Sequence, residues 1–105
     1  MVTKVMAYRY VKRKAEEAYR ALIDCVRTAL EEENAELAVI CGASLVKMGE
    51  VEKGSYIYEY PYVNEAMELG IEVVKLAERE GVPSWLEKYV DEMKRILEDA
   101  GYEIE

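Results

Sequence analysis

Apolar residues recur at intervals of three and four along most of this chain, the spacing that gathers side chains on one face of a helix. In the first stretch Ala15, Ala18, Tyr19, Leu22, Val26, Ala29 and Leu30 share such a face. On the polar side Arg13, Arg20 and Arg27 each stand four residues before an acid, namely Glu17, Asp24 and Glu31. Pairs of this kind contribute about 0.2–0.5 kcal/mol each, so they support a helix without marking a site. The pattern predicts a first helix over residues 4–33. Before Lys12 the side chains Val5, Tyr8, Tyr10 and Val11 lean towards strand but do not alternate cleanly, and the helix is extended through them.

Asn34 offers a break and an N-cap for a second helix from Ala35 to Gly49. Its inner stripe is Leu37, Ala38, Cys41, Leu45 and Met48, and Gly42 permits another backbone to come close. Tyr56, Tyr58, Tyr60 and Tyr62 then alternate, as they would along an extended connection. Pro61 suits the first turn of a third helix, which runs to Glu80 on Val63, Met67, Ile71, Val74 and Ala77 and ends at Gly81. A fourth begins at Ser84, whose Glu87 partner completes a capping box, and buries Leu86, Val90, Met93, Leu97 and Ala100 before Gly101. The expected fold is all-α: one small four-helix bundle over residues 1–105, with a long first helix and an extended Tyr-rich link between helices 2 and 3.

Composition narrows the chemistry. Nineteen of the 105 residues are glutamate, and there is no histidine, glutamine or phenylalanine. Without histidine there is no Ser-His or Cys-His pair, no imidazole shuttle and no His-ligated metal. A HEPN-type ribonuclease, which depends on a histidine, is excluded on the same ground. Abundant Glu with few amides resembles proteins of hyperthermophiles, where charge networks are favoured at high temperature. No apolar run approaches the roughly 20 residues of a membrane span. The opening residues do not have a signal peptide's pattern, so a cytoplasmic location is expected.

Charge is segregated. Residues 1–27 hold seven of the fourteen basic side chains against three acids, and the remainder carries −12, for a net charge of −8. An acidic body disfavours general nucleic-acid binding. The basic first helix, through Arg9, Arg13 and Arg20, is still placed to meet an acidic partner, a nucleic acid or the acidic body of a second subunit. The first helix would also be about 45 Å long against roughly 23 Å for the second. Its overhang, with Val5, Met6, Tyr8, Tyr10 and Val11, would leave an apolar surface to cover, which predicts a homodimer or larger closed oligomer.

The tyrosines Tyr56, Tyr58 and Tyr60 could stack on a ligand, but in a chain without Phe they are read first as core material with their hydroxyls in water. Cys25 and Cys41 lie eight residues on either side of Glu33 and so at similar heights on a helical hairpin. A disulfide there would add roughly 3 kcal/mol. Packed helix axes, however, stand 8–10 Å apart, and two buried free thiols are the preferred reading.

One constellation of carboxylates stands out. Glu33–Glu36 and Glu65–Glu68 form two ExxE tetrapeptides with 28 residues between them. Glutamates three apart share a helix face, and two converging pairs can hold Mg²⁺. The pattern resembles the all-α MazG-type nucleotide pyrophosphohydrolases, in which ExxE is followed by ExxD; here Glu68 replaces the final Asp. That resemblance implies an Mg²⁺-dependent nucleotide hydrolase using all four carboxylates. In an antiparallel pair of helices, though, Glu36 and Glu65 would lie at opposite ends. Together these features predict a non-enzymatic, cofactor-free, oligomeric scaffold, with the Mg²⁺-dependent hydrolase and a basic first helix that binds nucleic acid or an acidic partner as alternatives.

Overall fold

Four helices in chain order make up the computed structural model, which describes residues 3–53 and 60–104: α1 (Lys4–Glu31), α2 (Ala35–Lys53), α3 (Tyr60–Glu80) and α4 (Ser84–Asp99). The all-α fold agrees with the sequence periodicity. The link between helices 2 and 3 falls at residues 54–59, outside the described residues.

Local chemistry sets the boundaries. The Thr3 side chain accepts a hydrogen bond from the Met6 N–H at 3.1 Å, so α1 starts as a helix well before Lys12. At its other end Glu33 takes a left-handed conformation, φ 54°. The Asn34 N–H bonds to the Ala29 carbonyl at 2.8 Å and the Glu33 N–H to that of Leu30 at 3.1 Å, the paired bonds of a Schellman stop. The Asn34 side chain then accepts from the Leu37 N–H at 3.1 Å, so one residue ends α1 and caps α2 as expected. Gly81, at φ 79°, closes α3 through its N–H to the Ala77 carbonyl. The expected capping box of α4 does not form. Pro83 is the N-cap, Ser84 is already helical, and no side chain caps the start. The proline ring presets the backbone there, so the serine is displaced one position into the helix.

The helices run alternately up and down. Gly42 faces Val73, and Gly70 faces Val46, which makes α2 and α3 antiparallel neighbours. A Cβ on Gly42 would stand 2.9 Å from a Val73 methyl, and one on Gly70 2.5 Å from a Val46 methyl. Glycine is therefore what lets these two backbones meet. On one side α1 packs against both; on the other α4 does the same, and α1 and α4 do not touch among the described residues.

This layout explains a departure from the amphipathic pattern. The sequence assigned α2 a single inner stripe, yet Ala35, Ala38, Val39, Cys41, Leu45 and Val46 are all buried, because α2 is enclosed by α1, α3 and α4. A helix covered on three sides has little solvent face to keep polar. Tyr19, Ile23, Val26 and Ala29 bring α1 into the same core, and Leu86, Val90, Met93 and Leu97 bring in α4. The molecule measures 50 × 26 × 23 Å, and its long dimension comes from α1.

Candidate functional site: the projecting end of helix α1

Twenty-eight residues of helix give α1 a length of about 42 Å. The Cys25–Cys41 level and the antiparallel register place Lys53, at the end of α2, beside residue 13 of α1. The segment before it projects past the described part of the bundle. Four of its apolar side chains are exposed, Val5 58%, Met6 56%, Tyr10 54% and Val11 44%, while Tyr8 and Lys12 are half-buried. They lie on more than one side of the helix. Tyr8 and Val11 continue the core-facing direction of Tyr19, Val26 and Ala15, whereas Met6 and Tyr10 stand on the outer face beside Arg9 and Arg13. Val51, at the end of α2, adds a further exposed apolar side chain nearby, 66% accessible.

The same segment is cationic. Lys4, Arg9, Lys12, Arg13 and Lys14 precede the first acid, Glu16. The Arg13 guanidinium sits 5.7 Å and the Lys14 ammonium 5.6 Å from the centre of the Tyr10 ring. Cations over an aromatic face hold the ring in place while leaving charge at the surface. The result is an apolar surface studded with positive charge.

Farther along α1 the arginines turn towards α3. Arg20 donates to the Tyr62 hydroxyl at 3.1 Å, Tyr62 stacks on Tyr19 with ring centres 5.6 Å apart, and Arg27 pairs with Glu65. The sequence had set Arg20 and Arg27 against Asp24 and Glu31 in their own helix. Because α3 runs parallel to α1 beside them, the guanidinium groups reach partners that also tie two helices together. Tyr56 and Tyr58 lie outside the described residues, as does the side chain of Tyr60.

The two ExxE pairs are separated. Glu33 lies 3.6 Å from Arg79 at the far end of α3, while Glu65 holds Arg27 at the near end. Glu36 stands in the first turn of α2, and Glu68 is exposed on α3. Since α2 and α3 are antiparallel, Glu36 is at the Arg79 end and Glu68 at the other. Among the described residues no group of three or more Cys, Asp or Glu is placed to hold a metal ion. Carboxylates do gather between α2 and α4, but around cations. Lys47 bridges Glu50 at 3.1 Å and Glu92 at 3.4 Å, and Arg95 bridges Glu50 at 3.4 Å and Asp99 at 3.3 Å. The Lys47 ammonium, then Arg95, holds the Glu50 carboxyl below the ordinary glutamate range.

The cysteines are joined. Cys25 and Cys41 form a disulfide with their Cα atoms 6.2 Å apart, where free thiols were the preferred reading. The axial spacing of 8–10 Å was the wrong yardstick. Backbones have a radius of about 2.3 Å, so Cα atoms on facing sides stand roughly 3–5 Å closer than the axes. Disulfide reach follows directly.

No family model, no curated protein and no solved structure matches this chain. No helix among the described residues is long and apolar enough to cross a membrane.

Proposed function

We propose that this protein is a non-catalytic helical scaffold that works as a homo-oligomer, assembled through the projecting amino-terminal end of α1. The observation that carries this reading is the cluster of Val5, Met6, Tyr10 and Val11, each more than 40% exposed on a segment with no acidic residue. A helix that is apolar on several sides belongs between surfaces and not in water. Its charge favours the same outcome. The first 27 residues are net basic and the rest of the chain is strongly acidic, so a second copy offers both an apolar surface and the opposite charge.

The test is the double variant Met6→Glu, Tyr10→Glu. Both side chains point away from the bundle, so the fold and its helical content stay intact. Chromatography with light scattering should give a mass of one chain for the variant and at least two for the parent at the same micromolar concentration. Equal masses for the two proteins would sink the assignment of the interface to this segment.

A further inference from the structure

The exposed large apolar side chains among the described residues fall into two groups. One is the α1 projection with neighbouring Val51; the other is Ile40, Trp85 and Tyr89, 44%, 56% and 37% exposed. This second group lines a groove between α2 and α4 together with Ala43, Ser44 and Leu86. The two helices run side by side in the same direction, as the Lys47–Glu92 and Glu50–Arg95 bridges show. A groove with parallel helical walls and aromatic side chains on its rim suits an amphipathic helix laid along it.

Resting on the self-association proposed above, we infer that the α2–α4 groove of one copy receives the α1 projection of a second copy. Three observations fix the occupant. First, a chain cannot fill its own groove, because α1 and α4 lie on opposite sides of the α2–α3 pair without touching. Second, Met6 and Tyr10 stand four residues apart, about one turn, on the outer face of α1, the spacing with which a helix offers anchors to a groove. Third, charges are opposed. The segment before Glu16 carries five bases and no acid, while residues 28–105, which include both groove walls, are strongly acidic. On the groove side Lys47 is already paired with Glu92, and Lys88 lies over the Tyr89 ring, 5.1 Å from its centre.

The arrangement closes with two-fold symmetry. The projection sits at one end of the long axis, and the groove lies roughly 20 Å along it towards the other end. Two copies laid antiparallel bring each projection level with the other's groove. Every contact is then made twice, which builds area towards the roughly 800 Å² per partner of a stable interface and leaves no open end to propagate.

Trp85 is the chain's single tryptophan, so its fluorescence reports on this groove alone. A dilution series of the full chain is followed by sedimentation and by Trp emission with acrylamide quenching. As chains assemble, the emission should move to the blue and quenching should fall, and Met6→Glu, Tyr10→Glu should remove both changes. A groove variant, Ile40→Glu with Tyr89→Glu, should weaken assembly at least about tenfold. Mixed with the Met6, Tyr10 variant it should restore a two-chain complex, since one intact projection then meets one intact groove. Assembly with unchanged Trp85 emission, in a parent that the Met6, Tyr10 variant dissociates, overturns the groove and leaves the self-association reading standing. A parent that stays monomeric overturns both.

Discussion

Removing the Cys25–Cys41 disulfide should lower the melting temperature by roughly 12–24 °C, read as about 3 kcal/mol of lost constraint on the unfolded chain. The bond closes a loop across 16 residues of sequence. Within it lie the end of α1, the Asn34 turn and the first turns of α2. The turn is already well specified by the Glu33 and Asn34 backbone bonds, so the folded hairpin keeps its shape without the disulfide. The loss is felt instead in the unfolded ensemble, which gains the freedom the bond had removed. The consequence is mechanical as well. Among the described residues α2 runs alongside α1 from about residue 13 onward, and the disulfide pins that part. Calorimetry of the parent, with and without reductant, and of Cys25→Ala with Cys41→Ala checks the effect. Thiol titration of the denatured, unreduced protein should find no free thiol. Two thiols titrating without reductant, with a melting temperature indifferent to it, would contradict the bond.

Leu97→Ala should cost about 2–5 kcal/mol. Leu97 is fully buried, and its methyl carbons lie 3.6 Å from where a Gly70 Cβ would stand. α4 is held by two helices and not three, and Gly70 leaves the pocket that Leu97 occupies. An alanine cannot fill that space, and the glycine backbone opposite cannot lean in to close it. The urea midpoint should fall by roughly 1 M or more, while the oligomer of the remaining folded protein persists. A loss below about 1 kcal/mol would mean that α4 does not depend on this contact.

How much of this was legible in the sequence differs by element. Asn34, Pro61 and Gly81 announced their boundaries because each acts within its own turn, through a side-chain cap, a fixed φ or a left-handed residue. Gly42 was legible for the same reason, as a missing Cβ. Ser84 misled, since a serine followed by a glutamate fits a capping box equally well one position late, and Pro83 took the cap. The burial of α2 on several sides escaped a single-helix reading because it depends on which helices surround it. Likewise Arg20 and Arg27 found partners on α3 that no spacing within α1 could announce.

The candidate site divides along the same line. The projecting apolar end of α1 was visible as a mismatch of helix lengths, which needs only residue counts. The groove was not, because Ile40, Trp85 and Tyr89 come together only once α2 and α4 are side by side. The two ExxE pairs share a face in sequence and lie at opposite ends in space, since the antiparallel register of α2 and α3 sets where Glu36 and Glu68 stand.

Sedimentation equilibrium of the unmodified chain across the micromolar range, at low and at high salt, tests self-association most directly. A closed oligomer at low salt, loosened by salt because basic projections meet acidic bodies, is the expected result. A single species of 12.1 kDa at every concentration and salt would contradict it.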